Sequence, residues 1–504
     1  MSNKLTKKYG LFTAICMVVG IVIGSGIFFK AKDVLDATAG NALMGVLAWL
    51  IGGAIMAVLA VTFSIMATKY EKVGGIVDYA EATCGKGYAY FFSWFTSFIY
   101  YPAMTSVLAW VSARYTIEAI NGISGSSINP VYSTECIILA LLYMVSIYFM
   151  NAIAPRLAGK FQVSTTLIKF IPIVFIAVVG TVYGLVTGIL TDNFNYVSAE
   201  AGKIFYGDAG ADGAIVVGTG NLFAAICCTI FAYEGWIIAT SINAEIKNAK
   251  RNLPIALALG AAIIVGAYVL YYIGILGLKE LGVLGAEGTS AAFAVFGKVG
   301  SAIVSITIIV SCLGTLNGLM LGCTRGFYAM AARGQGIAPK VLGEVDRHTN
   351  TPHNSAAVAL FVCAIWLAYF VTAQNFGPGS LSLFGEYGFD SSELPVVTIY
   401  PLYIPILVMF MVKSKELHPI KRFALPCLSI VGAVVVVIAS IIRHKLDNVW
   451  YLLVFGVIMA FSLLCYRGGG STDDSTDEDS PADTAESESD TDSAATAAAK
   501  ISAE

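Results

Sequence analysis

Charge is scarce in this sequence: Asp, Glu, Lys and Arg supply 12% of its 504 residues, against 57% that are hydrophobic. Soluble domains run at about a quarter charged and somewhat under half apolar, so this composition excludes a row of soluble domains, whatever the length allows. Histidine is rarer still. His348, His353, His418 and His444 fall in or near loops and no HExxH occurs, so no buried metal centre is expected. No GxxxxGK[ST] is present, which removes ATP held by a P-loop and leaves a gradient as the energy source. The ten cysteines form no CxxC pair and mostly lie inside apolar runs, as Cys16, Cys227, Cys228, Cys312, Cys323 and Cys363 do. Buried cysteine behaves as a small hydrophobe, and neither a disulfide framework nor a zinc site is implied. No cofactor, no metal and no nucleic-acid partner is expected, and nothing points to an enzyme.

What fills the chain instead is long uncharged stretches, among them 11–29, 37–68, 87–113, 252–278, 299–324, 423–442 and 448–466. Each reaches the roughly 18–20 residues needed to cross about 30 Å of hydrocarbon. A pass along the chain gives twelve spans, near 11–32, 42–68, 88–116, 133–153, 159–188, 216–245, 252–277, 299–331, 354–374, 393–412, 423–442 and 448–466. The fold class is therefore an all-α membrane protein of twelve transmembrane helices. The basic start, MSNKLTKKYG, leads into an apolar run without an A-x-A-like site, and reads as an uncleaved first span.

The net charge of −3 hides two regions. From Ser471 to Glu504 there are 11 acidic residues and one lysine, leaving the body at +7. That tail has no aromatic residue and follows Gly468-Gly469-Gly470, so residues 468–504 are expected to be disordered. With residues 1–10 placed in the cytoplasm, 20 Lys and Arg fall on the cytoplasmic side and eight on the other, which satisfies the positive-inside rule. The expected location is the cell (inner) membrane, multi-pass, with both termini cytoplasmic.

Two spans look broken. In the first, Gly20, Gly24 and Gly26 lie within seven residues; in the sixth, Phe231-Ala232-Tyr233-Glu234-Gly235-Trp236 puts a carboxylate and a glycine at mid-span. Non-helical backbone survives in a bilayer only beside protein or a watery cavity. A GxxxG such as Gly20–Gly24 taken alone more often marks close helix packing. Breaks in spans one and six together are the pattern of five-plus-five inverted-repeat transporters. Half-helix N-termini offer amides to a carboxylate and half-helix C-termini offer carbonyls to an ammonium, and an α-amino acid carries both groups.

Lys169 lies nine residues past Lys160, about 14 Å into the membrane, too deep to snorkel. A charge there is functional by default, as is Glu234, unless a partner on another helix makes it structural. Ser311 and Thr315, one turn apart in span eight, are candidate acceptors for the Lys169 ammonium; bonding back to their own helix is the plainer alternative.

The segments GIVIGSGIF (20–28), IFAYEGW (230–236) with INAEIKNAKRNLP (242–254), and SCLGTLNG to ARGQGIAP (311–339) resemble the L-type amino acid transporter family of the amino acid–polyamine–organocation superfamily. The resemblance implies a LeuT-like fold, with helices one to five and six to ten as inverted repeats over residues 11–412, discontinuous helices one and six, and two peripheral helices over 413–467. By position it implies a substrate site at Ile23, Gly24, Ser25, Gly26 and Ile27 facing Phe231, Ala232, Tyr233 and Glu234, with Phe231 and Trp236 as gating residues. Lys169 resembles the family lysine whose ammonium sits where sodium-coupled relatives bind a cation. Two departures stand out. Glu234 occupies a position where neutral-substrate members often have a small residue. The loop NGISGSSINPVYSTEC has no match to the cysteine that links members to a heavy subunit, so no such partner is expected.

The expected function is sodium-independent exchange of small neutral L-amino acids such as Ala, Ser, Thr or Cys by alternating access. The alternatives are a cationic amino acid exchanger or a proton-coupled symporter, and, further off, a transporter-like nutrient sensor acting through the acidic tail.

Overall fold

The structure, a computed structural model, describes residues 10–24, 26–70, 75–199, 220–237, 246–281, 293–346, 349, 351–373 and 383–466. The acidic tail falls outside them. The described backbone is almost wholly helical, as hydrocarbon requires: with no water to bond, each N–H must find a carbonyl within its own segment. In chain order the helices are α1 (Leu11–Val22), α2 (Gly26–Ala37), α3 (Ala42–Tyr70), α4 (Ile76–Cys84), α5 (Lys86–Phe95), α6 (Tyr101–Ser124), α7 (Thr134–Ile153), α8 (Pro155–Thr187) and α9 (Ile189–Ala199). They continue as α10 (Leu222–Tyr233), α11 (Ala249–Leu278), α12 (Gly297–Ala332), α13 (Pro339–Leu342), α14 (His353–Ala373), α15 (Leu394–Lys413), α16 (Leu425–His444) and α17 (Asp447–Cys465).

Nine of these are long and apolar enough to cross a bilayer among the described residues: α3, α7, α8, α11, α12, α14, α15, α16 and α17. The expected spans one, three and six are not among the nine, and each is interrupted or incompletely described. The first is divided into α1 and α2. The third runs as α5, a π-helical turn over Thr96–Tyr100, and α6. The sixth begins as α10, and residues 238–245 at its far end lie outside the described residues.

The core is built around the interrupted helices. α1 packs on α11, and α10 packs on α2 and α3, while α12 lies against α6 and α8. α8 and α11 meet main chain to main chain: a Cβ at Gly180 or Gly184 would overlap Gly274 or Gly277, and one at Gly274 or Gly277 would overlap the Ile176 or Gly180 backbone. Without a hydrophobic force between helices in lipid, this close approach is what van der Waals packing can use. It anchors α8, and with it Lys169, against the helix that carries Tyr268.

Candidate functional site

The two breaks touch. α1 ends at Val22, where Ile23 turns extended (φ −67°, ψ 105°), and helix resumes at Gly26. α10 ends at Tyr233, where Glu234 is extended (φ −74°, ψ 164°) and Gly235 takes φ +104°, a conformation that strains any residue with a Cβ. A Cβ at Gly26 would overlap the Ala232 backbone, and one at Gly24 would run into the Thr315 side chain. The first turn of α2 therefore starts beside the last turn of α10. The amides and positive dipole end of one half-helix stand next to the closing carbonyls of the other, two of which, Phe231 O and Ala232 O, already accept a bond. That pairing matches the carboxylate and ammonium of a zwitterion.

Of the site residues expected from the sequence, Ile23, Gly24, Gly26, Ile27, Phe231, Ala232, Tyr233 and Glu234 are all buried at this contact region. Ser25 lies outside the described residues. The Phe231 ring meets Phe29 edge-on, with centroids 6.1 Å apart, on the α2 side of the break. Trp236 packs away from it, with its ring 5.5 Å from Phe63 and 6.0 Å from Tyr403.

Lys169 comes to the first break from α8. Its Nζ donates to the Gly20 carbonyl at 3.0 Å and to Thr315 Oγ1 at 2.9 Å, and the side chain is fully buried. Neither acceptor carries a formal charge. Of the two span-eight hydroxyls, Thr315 bonds the ammonium and also reaches back to Ser311 O at 3.3 Å; Ser311 Oγ is buried with no hydrogen bond. Of the two candidate acceptors, Thr315 takes the Lys169 bond while also bonding back to its own helix, and Ser311 does neither.

Glu234 is held by Tyr100, whose hydroxyl donates to Oε2 at 2.6 Å, and by the Gly235 N–H at 3.3 Å. The π-helical turn over Thr96–Tyr100 sets Tyr100 at that position. Tyr400, within hydrogen-bonding reach of the same carboxylate, and Tyr403 approach it from α15.

Sequence reasoning missed Tyr268. From α11 its hydroxyl lies 3.2 Å from Val22 O and 3.1 Å from Ala232 O, the closing carbonyls of both half-helices. One phenol proton, shared between the two carbonyls, therefore bridges the two breaks. The signal available was Tyr268, Tyr271 and Tyr272 at helical spacing in an apolar span, since a phenol in hydrocarbon needs a partner.

Amino acid permeases, as a family, match residues 9–463 of the chain. Among curated proteins, a serine/threonine exchanger of Bacillus subtilis (SteT) is 31% identical over 69% of this chain and 74% of its own length. The mouse b(0,+)-type amino acid transporter 1 is 27% identical over 93% of this chain and 90% of its own, and the human cystine/glutamate transporter 26% identical over 69% and 65%. Among solved structures, MhsT in complex with L-phenylalanine superposes over 90% of this chain and 99% of its own with a TM-score of 0.52 at 13% identity, a likeness of fold.

Proposed function

The chain belongs to the amino acid permease family, and within it to the L-type transporters, and from that premise we propose that it is a sodium-independent exchanger of small neutral L-amino acids working by alternating access. It is a transporter and not an enzyme. The observation that carries the proposal is the position of the Lys169 ammonium. A main-chain carbonyl at the first break and a threonine hydroxyl on α12 are the kind of oxygen ligands an alkali cation would coordinate. A tethered ammonium fills that place without leaving, so the site needs no ion from solution to complete it. The name of the bacterial relative, a serine/threonine exchanger, supports small neutral substrates. We place the protein in the cell membrane with both termini cytoplasmic, on the distribution of basic residues. It acts without a disulfide-linked partner: Cys136, the cysteine nearest the loop before α7, is buried in that helix's first turn. Counterflow into proteoliposomes loaded with unlabelled substrate, using a panel of labelled amino acids, tests the reading. Ala, Ser, Thr or Cys should be taken up and empty vesicles should accumulate little; uptake into empty vesicles equal to that into loaded ones would overturn exchange.

A second reading is favoured by Glu234, a carboxylate buried beside the proposed ammonium site with no cationic partner among the described residues. A cationic side chain would satisfy it. On that reading Glu234→Gln abolishes arginine or lysine exchange and spares alanine; equal loss for all substrates assigns Glu234 to holding Tyr100 instead.

A further inference from the structure

Two concentrations of charge lie away from the breaks, and they differ in balance. Around Glu393, just before α15, Lys30 donates to Oε1 at 2.7 Å and Arg443 donates Nε to Oε2 at 2.7 Å, with Asp33 2.9 Å from Lys30, so the charges cancel. The other lies on the face that bears the N-terminus, in the turn that joins α15 to α16. Lys413, Lys415, Lys421 and Arg422 fall within the ten residues 413–422, and the single acid among them, Glu416, is paired with Lys69 of α3 at 2.8 Å. Among the described residues no carboxylate lies within ion-pair distance of those four cations.

The turn is held in place by its neighbours. Lys69 also donates to Ser414 Oγ at 2.8 Å, and Lys413 reaches Ala82 O of α4 at 3.2 Å. Arg422 donates Nε to Met411 O at 2.8 Å, and its guanidinium lies over Phe423, 4.5 Å from the ring centre. Its two terminal nitrogens keep four N–H donors without a protein partner among the described residues, in the planar fork that takes a phosphate group at two points. Ile420–Ala424 forms a π-helical turn with none of its residues buried, and Ile420 and Phe423 expose apolar surface beside Lys421 and Arg422. Val412 of α15 and Leu428 and Val431 of α16 continue that exposed apolar surface along two helices that pack on one another. The positive-inside rule puts basic residues on this face, but it does not ask that four gather on one anchored turn with their charge unmatched.

We propose that the α15–α16 turn is a binding site for an anionic phospholipid, with the phosphate and headgroup charge on Arg422, Lys421 and Lys415 and an acyl chain along the exposed apolar surface of the two helices. A cationic edge above lipid-facing apolar surface matches a molecule with a negative head and a hydrocarbon tail. A zwitterionic phospholipid brings its own cation beside the phosphate, so it gains less from a cluster whose charge is unmatched. The inference needs neither exchange nor any particular amino acid substrate.

Native mass spectrometry tests this on the full chain, reconstituted in an equimolar mixture of phosphatidylglycerol and phosphatidylcholine with matched acyl chains and then taken back into detergent. The parent protein should retain phosphatidylglycerol at least about tenfold over phosphatidylcholine. Lys415→Gln combined with Lys421→Gln, both at exposed positions, should cut that preference at least about fivefold. Adding Arg422→Gln should abolish it, while Arg422→Lys in its place should keep part of it, since the charge stays and the fork is lost. Lys160→Gln combined with Lys340→Gln removes the same charge from exposed positions elsewhere on that face and should change the preference by less than about twofold. Should the triple variant fail to fold, the double variant and its control still decide. A parent protein that retains both lipids equally overturns the site, as does a preference that survives the triple variant. An equal loss in the control pair also overturns it, since the preference would then come from the overall charge of the face.

Discussion

Two lysines, Lys30 and Lys169, are equally hidden from solvent and differently held. Lys30 bonds Glu393 and Asp33, so its charge is cancelled where it sits. Lys169 bonds a carbonyl and a hydroxyl, and no carboxylate among the described residues pairs with it. Taking an ion out of water costs several kcal/mol, and only an opposite charge in good geometry offsets most of it. The difference teaches which burial stability explains. Lys30 is half of a balanced pair that joins two elements. Lys169 is a charge the fold would be better off without, and its retention at the first break points to function.

The comparison breaks most readily on stability. Glu393→Gln leaves Lys30 and Arg443 sharing a neutral amide and should cost about 3–5 kcal/mol. Lys169→Met removes an unmatched charge and leaves two acceptors short of a donor, so it should cost less than about 2 kcal/mol. Unfolding in detergent, followed for both variants, checks the order; a larger loss for Lys169→Met would reverse it. Tyr268→Phe sharpens the contrast with an uncharged clamp on the same break. Losing its one shared bond to Val22 O and Ala232 O should slow exchange about tenfold, roughly 1.4 kcal/mol, in a protein that still folds. Steady-state counterflow would show it. The smallest expected effect is that of sodium. Replacing it with choline should alter exchange by less than about twofold, since an ion without a site biases no state. A strong sodium dependence would separate Lys169 from the role given to it.

Much of this was legible in the sequence, because bilayer physics writes in long runs. The charge-free stretches foretold the helices, and the glycines of span one with the Glu234-Gly235 pair of span six foretold where α1 and α10 stop. The motifs GIVIGSGIF and IFAYEGW identified the family that the comparisons then bore out. Lys169 stood out because a charge at that depth has few excuses. Partners far apart in sequence did not show. Tyr268 reaches both breaks because α11 packs along α1, and Glu393 looked like the start of a helix until Lys30 and Arg443 arrived at it from 363 and 50 residues away. The fate of Ser311 was equally hidden, since spacing gives a shared helix face but not which hydroxyl the ammonium will meet.

The central claim is that the Lys169 ammonium does for this protein what a bound cation would otherwise do, holding the first break to α12 through the transport cycle. Counterflow by purified Lys169→Ala in proteoliposomes tests it most directly. The account predicts turnover lowered about a hundredfold, the cost of about 2–3 kcal/mol for two lost bonds. Apparent KM should change little, because Nζ bonds the helix-one carbonyl and Thr315 and is not expected to touch the zwitterion. A folded Lys169→Ala protein exchanging at the parent rate would contradict it.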